Sequence, residues 1–506
     1  MNRGAVARDV GSLLVILSLL FFVSCLVSLG LGEFYGLVCF LVPGGLVYPV
    51  GYFFRRYFSE AGAPDKVDSM ATAAVGWFLV SLFGGLPFWI LATLINYDLG
   101  FLGLPELSKT LAVYSNPVNG FFESVAGFTG TGLTVTLNES SLPGCLQWWR
   151  SLTQWVGGVG VIVLTTAILK RPGSGSFTLY ESEARSEKIH PSVVSTVRSI
   201  WWIILAYTIL GVLVFYFAGM PPWDAVNHAM TGITTGGFSV KDQSLATYNS
   251  PLIEAAAIPI MVLGGIAFTT HYKLLGEKNP RKFITDVQTQ WFLLIISIGV
   301  TALMAIFFLK NTYNGFLGIL RVSVFQFISA ATCTGFQTAT DLGVKWPIAS
   351  HLVITVGMIV GGVAGSTAGG IKVIRSITII KGLRYELNSL IYPKTAIRKL
   401  KIGKRKLYDE QATKEIQEAL TITFLWILLL FIGIIILSLT TNTQQFTLQN
   451  IIFEVVSAQG NVGLSTGITT PQLHPIPKLT LIANMLIGRL EIIPIIIFIQ
   501  ALLTKK

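Results

Sequence analysis

Charged side chains are scarce in this sequence. Asp, Glu, Lys and Arg make up 12% of the 506 residues, whereas 52% are hydrophobic. A soluble protein carries about 25% charged residues, so this composition excludes a soluble globular protein. Several stretches with few charges reach the ~20 residues needed to cross a bilayer core of about 30 Å. The sequence therefore predicts an all-α polytopic membrane protein.

Cysteine and histidine are also few, and neither forms a cluster. The four cysteines (Cys25, Cys39, Cys145 and Cys333) show no paired spacing and indicate no disulfide framework. The five histidines are scattered, without an HxxxH or HExxH pattern. Because metal centres need clustered ligands, we expect no metal framework of this kind, and we expect no covalently bound cofactor.

Two short motifs are similar to enzyme signatures but lack the required context. "GGVAGSTAGGIK" (361–372) approaches the phosphate loop GxxxxGK[ST], yet its lysine comes one place late and no Ser or Thr follows it. "GLSTG" (463–467) fits GxSxG, but that elbow needs a strand-to-helix turn and triad partners. We therefore expect no enzyme and no nucleotide-binding module in this chain.

The net charge of +11 is distributed unevenly along the chain. Basic residues concentrate at the two termini and in the segments 55–66, 170–198, 273–282 and 372–414. The positive-inside rule explains this bias better than binding to nucleic acid does, and it predicts that both termini are cytoplasmic.

A Gly/Thr-rich motif occurs four times between long apolar spans. Its copies are "FESVAGFTGTGLTV" (122–135), "NHAMTGITTGGFSV" (227–240), "FQFISAATCTGFQT" (325–338) and "FEVVSAQGNVGLST" (453–466). They align without gaps on Gly132, Gly237, Gly335 and Gly463, which are 105, 98 and 128 residues apart. The larger third spacing matches a basic insertion. The chain is therefore predicted to contain four repeats of about 100 residues.

Each repeat has a long apolar span (M1), a short segment that ends in the glycine motif (P), and a second span (M2). The predicted M1 spans are 70–97, 199–219, 287–309 and 418–440; the P segments are 117–128, 223–233, 319–331 and 448–459; the M2 spans are 145–169, 252–275, 349–380 and 477–503. The predicted organisation is 1–56 (two N-terminal transmembrane helices), 70–170 (unit one), 198–280 (unit two), 286–382 (unit three, with an intramembrane gating loop at 361–372), 383–413 (cytoplasmic basic linker) and 414–506 (unit four).

The P segments are too short to span a bilayer and fit re-entrant helices. Extended backbone at membrane depth is tolerated only where it is buried or lines a water-filled path. Four equivalent loops therefore predict a pseudo-fourfold ring around one pore, where backbone carbonyls can replace the hydration shell of a monovalent cation. Glu123 and Glu454, nine residues before their glycines, are expected to support the P helices. Arg150, with Trp148 and Trp149, is expected to anchor the outer interface.

The four M1–P–M2 units resemble the TrkH/TrkG/KtrB/HKT superfamily of potassium-uptake proteins. The resemblance runs from about residue 70 to the C-terminus, and "GNVGLS" (460–465), "GGVAGSTAGGIK" and "GRLEIIP" (488–494) carry it. Two further predicted spans, Val10–Leu31 and Tyr35–Phe54, look like the extra pair of TrkH-type members.

The resemblance implies that the filter carbonyls come from the four residues ending at each glycine, and that K⁺ at this filter is the only metal ion bound. These residues are Thr129, Gly130, Thr131, Gly132, Thr234, Thr235, Gly236, Gly237, Thr332, Cys333, Thr334, Gly335, Gly460, Asn461, Val462 and Gly463. Relatives with serine at the first glycine favour sodium, so glycine at all four positions favours potassium here.

The third M2 stretch, from Ser350 to Ile380, is too long for one straight span. A break at its Gly/Ser/Thr-rich centre would line the cavity beneath the filter, and the resemblance also implies a gate there. The predicted gate residues are Gly361, Gly362, Ala364, Gly365, Ser366, Thr367, Gly369, Gly370 and Lys372.

Arg489 lies near the middle of the last predicted span. An arginine at a helix centre costs about 2.5–3.5 kcal/mol on insertion scales, so it should face an aqueous cavity or a partner. We expect it to form an electrostatic barrier just below the filter, which agrees with the arginine that TrkH relatives place here. A pair with Glu491 is not expected, since residues two apart on a helix do not face each other.

The predicted function is a potassium-translocating subunit of a Trk-type uptake system with channel-like conduction; the alternative is a Na⁺- or H⁺-coupled transporter of the same superfamily. The resemblance implies a homodimer in the bacterial inner membrane, resting on a cytoplasmic ring of nucleotide-binding, TrkA-like regulatory subunits. The basic linker could contact these subunits or anionic lipid.

Overall fold

The computed structural model describes residues 1–97, 108–160, 193–339, 346–391, 398–403, 405–441 and 445–503. Within these residues, six helices are long and apolar enough to cross a membrane, and two further pairs of helices are each bent by 106°. The protein is therefore a multi-pass helical membrane protein, as the sequence predicts.

Two helices precede the repeats, as expected. They run over Arg3–Gly30 and Tyr35–Tyr57 and pack against each other. The first begins at a cap, where the Asn2 side chain accepts a hydrogen bond from Ala5 N at 3.1 Å. Such caps satisfy one of the free N–H groups at a helix start.

The M1 and P helices agree closely with the prediction. M1 comprises Lys66–Gly84 with Leu86–Asn96 in unit one, Val193–Phe217 in unit two, Val287–Leu309 in unit three and Asp409–Thr440 in unit four. The P helices are Pro117–Phe128, Pro222–Ile233, Gly315–Ala331 and Leu448–Gln459. Each P helix is buried along the turn that precedes its glycine motif, which places the four loops inside the protein.

The M2 helices differ from the prediction in units two and four. There the predicted span is broken into two helices close to a pair of residues that contains glycine. Units two and four, expected to have continuous M2 spans, are broken into Pro251–Gly264 with Phe268–Leu275 and Pro475–Arg489 with Ile493–Leu503. Unit three breaks as expected, into Ile348–Val360 and Val373–Ile391. In unit one the helix Gly144–Val159 ends at Gly160, and the remainder of its predicted span lies outside the described residues.

The basic linker contains the one sheet of the described chain. Strands Lys399–Ile402 and Arg405–Tyr408 pair antiparallel, an exception to the all-α prediction. Lys381 Nζ donates to Lys401 O at 2.9 Å, and Gly403 lies against Val287 at the start of the third M1 helix. Arg405 pairs with Glu415 of unit four at 3.1 Å. Part of the linker is thus folded against units three and four. Residues 392–397 and 404 of the linker, most of the predicted basic loop 170–198 and the basic residues at 505–506 lie outside the described residues.

Short helices complete the described chain. They are the α-helices Lys109–Ala112 and Pro280–Ile284 and the 3₁₀ helices Val113–Ser115, Glu139–Ser141 and Ser244–Tyr248.

Candidate ion pathway

The four glycine motifs meet one another in a closed ring. At each filter glycine an added Cβ would lie closer than 3.0 Å to a carbonyl oxygen of the next loop. The pairs are Gly132 with Gly236 O, Gly237 with Thr334 O, Gly335 with Val462 O, and Gly463 with Thr131 O. The contacts run from unit one through unit four and back to unit one. Only a residue without a side chain fits this approach.

All four loops share one backbone conformation. The filter glycines have φ of +78°, +77°, +84° and +95° in chain order. Two residues earlier, φ is again positive at Gly130 (+67°), Thr235 (+51°), Cys333 (+55°) and Asn461 (+53°). Such angles strain a non-glycine residue by about 1–3 kcal/mol and persist only where the surroundings enforce them. The sequence gives no sign of this strain at Thr235, Cys333 and Asn461.

N–H groups of the four loops donate hydrogen bonds to carbonyl oxygens of the P helices. Thr131 N donates to Ala126 O, Gly236 N to Thr231 O, Thr334 N to Ser329 O, and Val462 N to Ser457 O, at 2.8–2.9 Å. Gly236 O accepts from Gln154 Nε2 at 2.6 Å. Within the described ranges no hydrogen bond reaches the carbonyl oxygens of the other filter residues. Buried carbonyls normally have partners, so these oxygens are available to a cation.

Hydroxyl groups hold the first residue of three loops. Thr129, Thr234 and Thr332 each donate to the carbonyl four residues earlier at 2.7–2.8 Å. The fourth loop has Gly460 instead, and Asn461 takes a different role: its Nδ2 donates to Thr131 Oγ1 at 2.8 Å and to Met485 O at 2.9 Å. The ring is therefore chemically asymmetric at unit four, as the sequence indicates.

The P helices add electrostatic support. Each ends one residue before its loop, at Phe128, Ile233, Ala331 or Gln459. A helix C-terminus carries a partial negative charge of about half an elementary charge. Four such ends therefore favour a cation inside the ring.

The predicted gate loop crosses the ring on the side of the helix ends. Thr367 Oγ1 is 2.9 Å from Thr235 Oγ1 in unit two and 3.0 Å from Gly264 O. Gly369 packs against Gly460 O in unit four. Because units two and four are opposite each other in the ring, the loop lies across its inner face.

Further bonds hold the loop in place. Val363 N donates to Gly265 O at 3.0 Å, Phe268 N to Gly365 O at 3.1 Å, and Lys372 Nζ to Ala368 O. The residues Gly361, Gly362, Ser366, Thr367, Gly369, Gly370 and Lys372 are buried, while Ala364 and Gly365 are half-buried and line a cavity of about 770 Å³. The loop is predicted to line a cavity beneath the filter. The cavity at Ala364 and Gly365 is instead lined by residues such as Lys273, Val287 and Arg405 and by no filter residue, and the rest of the loop is packed.

Arg489 contacts the gate loop and unit one at once. Its guanidinium donates to Thr367 O at 3.1 Å, to Gly158 O at 3.3 Å and to Gly157 O. It also lies 5.3 Å from the centroid of the Trp77 ring. Glu491 pairs instead with Arg375. Backbone carbonyl oxygens thus accept hydrogen bonds from the positively charged Arg489 side chain, which lies directly beside the loop.

The sequence contains a second glycine repeat, in the M2 segments, which the sequence analysis does not include. Gly157-Gly158, Gly264-Gly265, Gly361-Gly362 and Gly488-Arg489 occupy equivalent places in the four M2 helices. By subtraction, their second members follow the filter glycines by 26, 28, 27 and 26 residues. Gly157, Gly264 and Gly488 pack against Phe128 O, Ile233 O and Gln459 O at the ends of their P helices. Arg489 is therefore the only non-glycine member of this repeat.

Arg150 is not the interface anchor that the sequence suggested. Its side chain is 2% exposed, and its Nε donates to Glu123 Oε1 at 2.8 Å. Nη1 donates to Ser239 O of unit two at 2.8 Å. Trp149 is also buried, with Nε1 donating to Gly84 O at 2.9 Å. An ion pair removed from solvent must be fully satisfied by the protein, and Arg150 has these partners. We therefore assign both Arg150 and the buried Trp149 a structural role.

We expect Arg150→Met to lower the free energy of unfolding by about 3–5 kcal/mol, because Glu123 would be left buried without its cation. SDS-induced unfolding in mixed micelles measures this change. Adding Glu123→Gln should recover part of the loss, whereas the exposed Arg56→Met should change little. Equal effects of Arg150→Met and Arg56→Met would contradict the buried pair.

Comparisons with known proteins show which family this chain is similar to. Residues 104–505 match the family model described as "TrkH: Cation transport protein". An uncharacterised cation transporter of Methanocaldococcus jannaschii is 34% identical over 500 residues, covering 98% of this chain and 95% of the relative. The Trk system potassium uptake protein TrkH of Salmonella typhimurium is 30% identical over 445 residues, covering 87% and 86%.

The fold is similar to a solved structure as well. The crystal structure of the potassium transporter TrkH from Vibrio parahaemolyticus aligns with a TM-score of 0.81 and 25% identity, covering 98% of both chains. The resemblance expected from the repeats is thereby confirmed, and this chain belongs to the TrkH family of cation transport proteins.

Proposed function

We propose that this protein is the potassium-translocating subunit of a Trk-type uptake system. The single observation that carries the proposal is the closed ring of four loops, in which N–H groups donate to the P helices and the carbonyl oxygens other than Gly236 O are left for an ion. Such an array replaces the water around a monovalent cation. The filter residues therefore bind the permeant ion, and the protein works as a transporter without enzymatic chemistry or a cofactor.

Potassium is the ion best supported. Glycine stands at the fourth filter position of every loop, and the Salmonella typhimurium relative and the Vibrio parahaemolyticus structure carry potassium in their names. Among the described residues, no group of three or more His, Cys, Asp or Glu could hold a metal ion.

Residues 361–372 act as the gate in this proposal. The loop joins opposite units of the ring through Thr235 and Gly460, and Arg489 donates to its Thr367 carbonyl. A buried loop in this position obstructs the path, and the Arg489 charge adds an electrostatic barrier to cations. Opening then requires the loop to leave Thr235, Gly460 and Arg489.

The assembly and location follow from the same proposal. The protein works as a homodimer in the bacterial inner membrane with both termini in the cytoplasm. TrkA-like nucleotide-binding subunits contact it from that side, where the basic linker hairpin lies against units three and four. Anionic lipid is the other contact that the basic segments favour.

Growth of a potassium-uptake-deficient bacterium tests the proposal. Expression of this chain together with its cognate regulatory subunits should restore growth at low external K⁺, and expression of the Gly335→Ala variant should not. Failure of the wild-type chain to restore growth, when it is present in the membrane, would contradict the proposed function.

Vesicle flux separates channel-like conduction from ion-coupled transport. Purified protein should carry K⁺ down its own gradient at a rate that imposed Na⁺ or H⁺ gradients leave unchanged. Uphill K⁺ movement driven by either imposed gradient would favour the coupled transporter instead.

A further inference from the structure

Four buried polar side chains stand at equivalent places in the P helices. Glu123, His228, Gln326 and Glu454 each lie nine residues before their filter glycine, by subtraction. None is more than 1% exposed. A buried polar group costs several kcal/mol unless it is hydrogen-bonded, so each of these four must have a partner. We call them the outer anchors.

The partners lie in the same stretch of every unit. This stretch, called the outer arm, comprises the residues two to four positions after the filter glycine: 134–136, 239–241, 337–339 and 465–467. At most ~14 Å of extended chain separates its far end from the glycine. Fixing an outer arm therefore fixes the outer end of its filter loop.

The two carboxylates make the most extensive contacts. Glu123 accepts from Thr134 Oγ1 at 2.8 Å, Val135 N at 3.1 Å and Thr136 Oγ1 at 3.2 Å. Glu454 accepts from Ser465 Oγ at 2.8 Å and Thr466 N at 2.9 Å, and from Thr469 N beyond the arm at 3.1 Å. Arg150 pairs with Glu123, whereas the salt bridges of the described residues include none to Glu454.

The two neutral anchors reach the same places. His228 Nδ1 lies 2.8 Å from Asp224 O, so it carries the hydrogen, and Nε2 accepts from Ser239 Oγ at 2.9 Å. In the orientation that satisfies both of its amide atoms, Gln326 accepts from Thr338 N at 2.8 Å and Ala339 N at 3.0 Å. One side chain in each unit thus bonds the segment that leaves the filter.

We propose that the outer anchors are positioning residues that hold the filter carbonyls at the spacing that distinguishes K⁺ from Na⁺. The inference rests on the proposed function. The P-helix carbonyls hold the inner end of each loop through its N–H groups, and the outer anchors hold its other end. With both ends held, the carbonyls keep their separation when a smaller ion enters. Glu454 matters most, since its contacts involve the chemically divergent fourth loop.

K⁺ and Na⁺ fluxes through purified protein in vesicles test this role. Glu454→Ala should lower the K⁺/Na⁺ flux ratio about tenfold, because it removes several hydrogen bonds from one arm. Glu454→Gln, which keeps an acceptor oxygen, should hold the ratio within about threefold. The matched control is Glu254→Gln: Glu254 is a buried carboxylate that pairs with Arg321 and contacts no outer arm, and the ratio should not change.

An unchanged ratio in conducting Glu454→Ala protein would overturn the inference, as would an equal fall in Glu254→Gln. If Glu454→Ala does not fold, Gln326→Met provides the same readout, with a fall in the ratio expected and an unchanged ratio overturning the role. Absence of K⁺ flux in the wild-type protein would overturn the proposed function itself, which distinguishes the two failures.

Discussion

Replacing Gly335 with alanine should reduce K⁺ flux by about a hundredfold or more, equivalent to about 2.7 kcal/mol. Gly335 has φ of +84°, and a Cβ there would collide with Val462 O of the neighbouring unit. The atoms that the Cβ would meet belong to the backbone of Val462 and Gly463, so no side chain can move aside. The fourth loop would have to shift, and with it the carbonyl spacing of the ring. Flux through purified protein in vesicles measures the loss.

Gly315 provides a matched control for this change. It begins the P helix of the same unit and has a similar φ of +74°, but no atom lies within 4 Å of an added Cβ. Gly315→Ala therefore carries the strain of a left-handed alanine, about 1–2 kcal/mol, without the collision. It should lower stability and leave flux in the folded protein near the wild-type value. Equal flux losses in both variants would contradict a ring set by close backbone contact.

Replacing Arg489 with alanine should raise cation flux about tenfold. The guanidinium donates to Thr367 O and to the carbonyls of Gly157 and Gly158, so it tethers the loop 361–372, the proposed gate, to unit one. Alanine removes the tether and the positive charge together. A tenfold rise corresponds to a barrier lower by about 1.4 kcal/mol. Single-vesicle flux or planar-bilayer recording measures the change.

Arg321→Ala is the control for Arg489→Ala. Arg321 pairs with Glu254 at 2.7 Å, and none of its bonds reaches the gate loop. Its removal should leave flux unchanged. Unchanged or abolished flux in folded Arg489→Ala protein would contradict the barrier role.

Local chemistry explains why the P helices could be predicted well. The first and fourth lie within the ranges expected from the sequence, because Pro117 and the Thr447 cap mark their starts and the glycine motifs mark their ends. The third begins earlier than expected, at Gly315, because the polar run 310–314 (KNTYN) ends there and the apolar helix continues from that point without a start signal at residue 319.

Other features depend on contacts between distant residues. The bends after Gly264 and Arg489 interrupt apolar runs that look continuous in the sequence; only the recurring glycine pair could have indicated them. Thr235 and Thr367 are 132 residues apart, so no local pattern predicts their bond. Arg150 was misplaced because an arginine beside two tryptophans is typical of an interface, whereas its partner Glu123 lies 27 residues earlier. Only two of the four outer anchors can be recognised from the sequence. Glu123 and Glu454 are the same residue at equivalent positions, whereas His228 and Gln326 share only that position with them.

Anomalous diffraction from crystals soaked in Rb⁺ tests whether carbonyl oxygens of the four loops bind a dehydrated monovalent cation. Rb⁺ is close to K⁺ in size and coordination and scatters strongly enough to be located. The expected result is an anomalous peak inside the ring, surrounded by carbonyl oxygens from all four loops, 129–132, 234–237, 332–335 and 460–463. Rb⁺ bound elsewhere in the protein, with no peak inside the ring, would contradict it.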